Sequence, residues 1–224
     1  MAGQSADSRR SFIQAHARLG RPPLTPELSL WLADEATALW EASEDFLDVH
    51  GLPPPFWAFA WAGGQALARY VLDNPMTVAG KRVLDFGAGG GIAAIAALKA
   101  GAESALASDL DPFAADAARL NGDANGVSPD AHVGDATALA PTAFDVILAA
   151  DVCYDRNQAT PATEWLSAAA RSAVVLIGDP GRSYLPADRL TAIADYDVPT
   201  PLALEMAPIT PTRIWRITGA ANSD

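Results

Sequence analysis

Four short segments carry residue types that can do chemistry. The first is Val83-Leu84-Asp85-Phe86-Gly87-Ala88-Gly89-Gly90-Gly91, an apolar run that ends in an acid and opens into glycines. Glycines at a strand-to-helix turn let the backbone approach a ligand closely. A dinucleotide fingerprint wants glycines at relative positions one, three and six, and the third of these falls on Ile92. A phosphate-cradling Walker loop also fails, because no Gly-Lys-Ser or Gly-Lys-Thr follows. What remains, a carboxylate two residues before Gly-x-Gly, suits a ligand with an amino group and no pyrophosphate. Gly87 and Gly89 would lie against it, and Asp85 would meet its ammonium directly or through water.

The second segment ends in Asp109, placed 109 − 91 = 18 residues after the last glycine of the loop. A carboxylate there can accept both hydroxyls of a ribose. Its neighbour Asp111 reads instead as a helix cap beside Pro112. Gly134-Asp135-Ala136 would offer Asp135 to an exocyclic adenine amine, against the reading of an ordinary turn residue. The fourth segment, Ala149-Ala150-Asp151-Val152-Cys153-Tyr154, carries an Asp and a Tyr out of a strand, placed to act on a substrate nitrogen. Cys153 reads as a small packed side chain rather than a nucleophile. His16, His50 and His132 have neither metal-ligand spacing nor triad partners, so no metal is expected.

Elements must bring these residues together. Residues 82–86, 104–109, 131–133, 144–149 and 173–177 read as strands, with two more candidates near 196–198 and 213–218. Helices are predicted over 63–72, 92–100, 112–121 and around 164–171. This alternation implies an α/β fold: a Rossmann-like, doubly wound, seven-stranded and mostly parallel sheet, helices on both faces, ligand at the strand carboxyl ends. The front of the chain has another texture. Thr25-Pro26-Glu27 reads as a helix start, and Leu28, Trp31, Leu32 and Leu39 follow at helical spacing, so an N-terminal helical extension is expected. Residues 50–56, His-Gly-Leu-Pro-Pro-Pro-Phe, cannot be regular structure and read as a linker or lid. The division is then 1–62, extension and Pro-rich linker, and 63–224, catalytic domain, forming one structural unit.

Composition narrows the class. The chain has 224 residues, 50% hydrophobic and 19% charged, enough apolar surface to order one domain and too little charge for a disordered chain. Fifteen Lys plus Arg against 27 Asp plus Glu leave a formal charge of −12, which repels phosphate backbones and disfavours nucleic acid as the main partner. The one cysteine allows no internal disulfide. No apolar run approaches the roughly 18 residues of a membrane span. The start lacks a secretory core, and its arginines with Asp7 read as a surface helix rather than a transit segment. A cytoplasmic protein with no membrane partner is expected.

The four strand ends together resemble the cofactor crevice of class I, or seven-beta-strand, S-adenosylmethionine-dependent methyltransferases, over roughly residues 55–218. Two segments narrow the resemblance. Residues 56–70, Phe-Trp-Ala-Phe-Ala-Trp-Ala-Gly-Gly-Gln-Ala-Leu-Ala-Arg-Tyr, and Gly178-Asp179-Pro180-Gly181-Arg182 are similar to signatures of the electron transfer flavoprotein beta-subunit lysine methyltransferase family. Asp151-x-x-Tyr154 resembles the Asp-x-x-Tyr motif of related protein lysine methyltransferases. The resemblance implies N-methylation of lysine in a folded protein, the flavoprotein beta subunit, with S-adenosylmethionine as cofactor. It places Trp61 and the following glycines, Gly63 first, against the cofactor, and Asp151 and Tyr154 at the acceptor amine. The chain departs in Ala62, where the family usually has Pro, and in the extra glycines Gly90 and Gly91.

An activated methyl needs chiefly alignment with a neutral amine and exclusion of water. Asp151 would orient that amine, while Tyr154 and Trp57 wall the channel. Trp57 and Arg182 are the candidate substrate contacts; Asp179 and Arg182 can equally pair with each other and pin a turn after the fifth strand. Trp31, Trp40, Trp165 and Trp215 read as core or interface. Three other classes compete: a methyltransferase of the same fold acting on a small amine or another protein, a binding module that has lost turnover, and a dehydrogenase. None of Asp85, Asp109 and Asp151 is missing, which disfavours the binding module, and Ile92 disfavours the dehydrogenase.

Overall fold

The computed structural model describes residues 5–33, 54–205 and 207–218. In chain order the elements are α1 (Ala6–His16), β1 (Arg18–Gly20), β2 (Leu30–Leu32), α2 (Ala62–Asp73), β3 (Arg82–Phe86), α3 (Ile92–Lys99), β4 (Ser104–Asp109), α4 (Pro112–Asn125), β5 (Asp130–Val133), β6 (Val146–Ala150), α5 (Arg156–Ala169), β7 (Val174–Asp179), β8 (Leu190–Pro199), α6 (Leu202–Glu205) and β9 (Ile209–Ile217). Seven strands form one sheet in the order β5-β4-β3-β6-β7-β9-β8. The first five are parallel; β9 runs antiparallel to both β7 and β8. The chain leaves β3 toward β4 and β5, then returns to β6 on its other side. That reversal opens a crevice at the strand carboxyl ends, where Asp85, Asp109 and Asp151 lie.

Each face of the sheet is closed by helices whose small residues allow close packing. Leu67, Val71 and Ile95 of α2 and α3 bury against Val83 and Leu148. On the opposite face Leu166 of α5 packs over Leu84, Ile147 and Ile177. Helix α5 begins well before the expected residue 164, because Asp155 caps it through the N–H groups of Asn157 and Gln158 and Pro161 is accommodated inside it. The β8–β9 hairpin is also longer than expected, since buried positions such as Thr210 and Thr212 are polar and exposed ones such as Ile193 and Ile209 are apolar, which blurs the alternating signal.

The helix expected from Thr25 is corrected by the structure. Residues 25–29 are turns leading into β2, which pairs with β1 through Arg18↔Leu32 and Gly20↔Leu30. Thr25 caps nothing; its hydroxyl is buried without a partner, and Leu28 and Leu30 alternate into the core as strand residues do. Tertiary bonds outweigh local propensity here: Asn121 Oδ1 of α4 accepts the Trp31 N–H at 2.6 Å, and Asn125 Oδ1 accepts that of Ser29 at 3.0 Å. Leu39, Trp40 and the first part of the proline segment lie outside the described residues. Phe56–Ala58, which ends that segment, is one 3-10 turn.

Helix α1 packs on α4. Ile13 of α1 joins Trp57, Phe113 and Ala117 in a small core, and Arg9 Nε meets the fully buried Asp116 carboxylate at 2.6 Å. The N-terminal hairpin also shares the main core through Leu28 and Leu30. The front of the chain is therefore built into the same body as the sheet.

Candidate active site

A cleft of about 580 Å3 runs along the carboxyl ends of β3, β4 and β6. Its floor on one side is the glycine turn after β3. Gly87 (φ 67°) and Gly89 (φ 50°) adopt left-handed backbone, which a side chain would strain. Two carboxylates shape that turn. Asp85 Oδ2 accepts the Ala94 N–H of α3 at 2.9 Å, and Asp109 Oδ2 accepts the Gly89 N–H at 2.8 Å while its Oδ1 accepts that of Asp111 at 3.0 Å. Burial pushes Asp85 up to about 7, against the pull of the Ala94 N–H and with a further push from the charge of Asp109. Asp109 is likewise raised by burial. Asp111 caps α4 through the Phe113 N–H at 2.8 Å, as its sequence context implies. Asp135 caps a short turn through Thr137, accepting from its N–H and hydroxyl at 2.8 and 2.7 Å, and borders the same cleft.

The other side of the cleft is built around Asp151. Its φ of 54° is the one positive value on a non-glycine among the described residues, a conformation that Asp tolerates better than most. Its N–H donates to the Gly178 carbonyl at 3.0 Å, and Oδ2 accepts the Gly64 N–H at 3.3 Å. Oδ1 accepts from Arg182 Nη2 at 2.8 Å and Nε at 3.2 Å. Burial pushes Asp151 up to about 6; Arg182 pulls it down, and the charges of Asp179 and Glu205 push it up again. An aromatic wall lines the same cleft. Tyr154 lies 5.6 Å from Phe56, ring centre to ring centre, and Phe56 lies 5.8 Å from Trp61. Trp61 Nε1 donates to the Phe56 carbonyl at 3.0 Å, and the Tyr154 hydroxyl donates to Gln158 at 3.1 Å.

Asp85, Gly87, Gly89, Asp109, Asp135, Trp57, Trp61, Asp151, Tyr154 and Arg182 all border this one cleft. Gly63 does not. It packs α2 onto β7, where any Cβ would press into the Gly178 carbonyl and the Asp151 carboxylate; its neighbour Gly64 is the residue that faces the cleft. Trp57 is 3% exposed and stacks at 6.2 Å on Phe113, so most of its ring belongs to the small core under α1. Arg182 is not paired with Asp179, whose Oδ1 instead accepts the backbone N–H groups of Gly181 and Arg182 and pins the turn itself. The guanidinium reaches Asp151 and Glu205, so it is committed inside the protein. Cys153 is fully buried, and burial pushes its thiol up to about 12.

Two residues here have no signal in the sequence. Asn121 joins the hairpin to the glycine turn, accepting the Trp31 N–H and donating from Nδ2 to the Gly90 carbonyl at 2.8 Å. Glu205 holds Arg182 from a distant connection. An Asn in a helix and a Glu near the end of a chain look like solvated positions until the fold brings their partners.

This donor set fits S-adenosylmethionine. Backbone-lined glycines without a phosphate cradle, buried acids at the ends of β3 and β4 and an aromatic rim match a ligand with an amino group, ribose and base. Comparison with known proteins agrees. A family model described as ribosomal protein L11 methyltransferase (PrmA) matches residues 66–153. The electron transfer flavoprotein beta subunit lysine methyltransferase of Xenopus laevis is 38% identical over 218 residues, 94% of this chain and 87% of its own. That of Homo sapiens is 36% identical over 199 residues, 86% of this chain and 75% of its own. In fold, magnesium protoporphyrin IX methyltransferase from Synechocystis with bound S-adenosylmethionine superposes with a TM-score of 0.53 at 15% identity, covering 83% of this chain and 98% of that one. The chain is an S-adenosylmethionine-dependent methyltransferase, and it belongs to the electron transfer flavoprotein beta subunit lysine methyltransferase family.

Proposed function

We propose that the protein methylates lysine side chains of the electron transfer flavoprotein beta subunit, with Asp151 and Tyr154 at the acceptor amine. The observation that carries this reading is the Asp151 carboxylate, fixed in the cleft that also holds the glycine turn and is lined by Phe56, Trp61 and Tyr154. The relatives named for that reaction cover most of both chains, which supports the substrate.

Bound S-adenosylmethionine would supply a methyl group on a sulfonium, already activated toward a nucleophile. Gly87 and Gly89 would lie along it, Asp85 would take its amino group, Asp109 its ribose hydroxyls, Asp135 its base amine, and Trp61 would close over it. The rest falls to the acceptor side. A lysine ammonium with a pKa near 10.4 is no nucleophile. The aromatic wall strips water from the incoming nitrogen and favours its neutral form. Asp151 accepts a hydrogen bond from that nitrogen and aims its lone pair, and the released proton passes to water at the cleft mouth. The Tyr154 ring, 45% exposed, narrows the mouth to an extended side chain. The same reading takes the protein as cytoplasmic and without nucleic-acid or membrane partners; the formal charge of −12 supports the lack of a nucleic-acid partner and the single cysteine fits the cytoplasm.

The test is transfer of radiolabelled methyl from S-adenosylmethionine to purified electron transfer flavoprotein, with Lys→Arg variants of its beta subunit. Label on the beta subunit, lost in the variants, is expected. No label, with the cofactor still bound in calorimetry, would move the search to other amines.

A further inference from the structure

At the acceptor side of the cleft lies a charged cluster of Asp151, Arg182 and Glu205. Arg182 Nη2 donates to Glu205 Oε1 at 2.6 Å and Nη1 to Glu205 Oε2 at 3.1 Å, while Nε and Nη2 serve Asp151 Oδ1. Every nitrogen of the guanidinium is used. We propose that Arg182 and Glu205 are positioning residues for methyl transfer: Glu205 fixes the guanidinium, and the guanidinium keeps the Asp151 carboxylate ionised and aimed at the acceptor nitrogen. The inference rests on the reading that Asp151 meets that nitrogen.

Three observations carry it. First, the pair is sheltered: the side chains of Arg182, Asp151 and Glu205 are 23%, 12% and 6% exposed, so water screens them little. Second, the segments interlock through backbone. The Asp151 N–H bonds the Gly178 carbonyl, the Tyr184 N–H bonds the Cys153 carbonyl at 3.2 Å, and Asp179 holds the Arg182 N–H at 2.6 Å. The guanidinium is therefore delivered to one place. Third, the charges around Asp151 are unbalanced. From β7 comes Asp179 and from α6 comes Glu205, both negative, and Arg182 is the one cation among the described residues that opposes burial there. Without it a carboxylate this buried takes up a proton. A protonated Asp151 presents an O–H where the acceptor nitrogen needs an acceptor. With Arg182 present the carboxylate keeps its charge, but its field is partly neutralised. That lets it orient the amine without holding it as ammonium.

The first readout needs no substrate. In the full chain labelled with 13C at Asp carboxyls, the Asp151 resonance, identified by its loss in Asp151→Asn, is expected to titrate near 6. In Arg182→Gln the midpoint should rise by about two pH units or more. In Glu205→Gln, exchange of the Arg182 Nε–H with water should quicken at least tenfold. An unmoved midpoint, or unchanged exchange, overturns the proposal. In methyl transfer to the flavoprotein, Arg182→Gln should lower kcat at pH 7 at least tenfold, leave KM for S-adenosylmethionine within about twofold, and regain activity as pH rises. Arg182→Lys should recover part of the loss. A wild-type protein that transfers no label defeats the proposed substrate; the titration and exchange results then still decide the clamp.

Discussion

Asp151 is constrained from three directions at once: a left-handed backbone, a buried carboxylate and a bound guanidinium. Asn keeps the shape and tolerates the backbone but removes the charge. Asp151→Asn is therefore expected to bind S-adenosylmethionine within about twofold of wild type in calorimetry, while transfer falls by at least a hundredfold. Cofactor affinity lost to the extent seen in Asp109→Ala would contradict the assignment. The pH dependence has a definite sign. The ionised form is the active one, so kcat/KM for the acceptor should show an acid limb at about 6, superposed on the further rise at higher pH as the lysine acceptor itself loses its proton. An acid limb near the ordinary carboxylate value would mean that another group sets it.

Between elements, single side chains hold whole units in register. Asn121 ties β2 to the glycine turn, so Asn121→Ala leaves a half-buried N–H and a half-buried carbonyl without these partners at once. A loss of about 1–3 kcal/mol in urea unfolding is expected, and calorimetry should show cofactor binding weakened about tenfold or more. Stability lost with affinity unchanged would separate the hairpin from the cofactor turn. Gly63 sets how closely α2 approaches β7. Gly63→Ala should cost about 1–3 kcal/mol by overpacking. It should also reduce transfer more than cofactor binding, because the added methyl presses on Asp151 and not on the glycine turn. Equal loss of both would place Gly63 against the cofactor after all.

At the scale of the molecule, five aspartates among the described residues are raised by burial: Asp109, Asp179, Asp85 and Asp111, the last two to about 7, and Asp151 to about 6. A raised carboxylate holds its proton in the folded state after the unfolded chain has released it, so rising pH favours unfolding between about 4 and 7. Exposed Asp145, lowered to about 2 by Arg82, acts oppositely and only in more acid solution. The urea midpoint without cofactor should therefore be higher at pH 5 than at pH 8. A midpoint that rises with pH across this window would mean these carboxylates are ionised in the folded protein at less cost than their burial implies.

Strand positions and site chemistry were legible wherever local signals are strong. Apolar runs ending in Asp85, Asp109 and Asp151, with glycines or a turn behind each, announce strand ends at a crevice because burial on both faces demands apolar residues and the ligand end demands polar ones. Residues 25–32 misled for the converse reason. Their spacing suits a helix, but the hydrogen bonds that decide their shape come from Asn121 and Asn125, some 90 residues away in the chain. The same holds within the site. The sequence by itself determined which acids and glycines line a ligand crevice, since those residues sit at fixed offsets from their own strands, and its resemblance to a methyltransferase family named the ligand. Only the tertiary structure decided that Gly64 rather than Gly63 faces the cleft, that Arg182 turns inward to Asp151, and that Glu205 completes the pair. Those facts depend on how α2, β7 and the β8–β9 connection pack against one another, and close packing between distant segments leaves no local pattern to read.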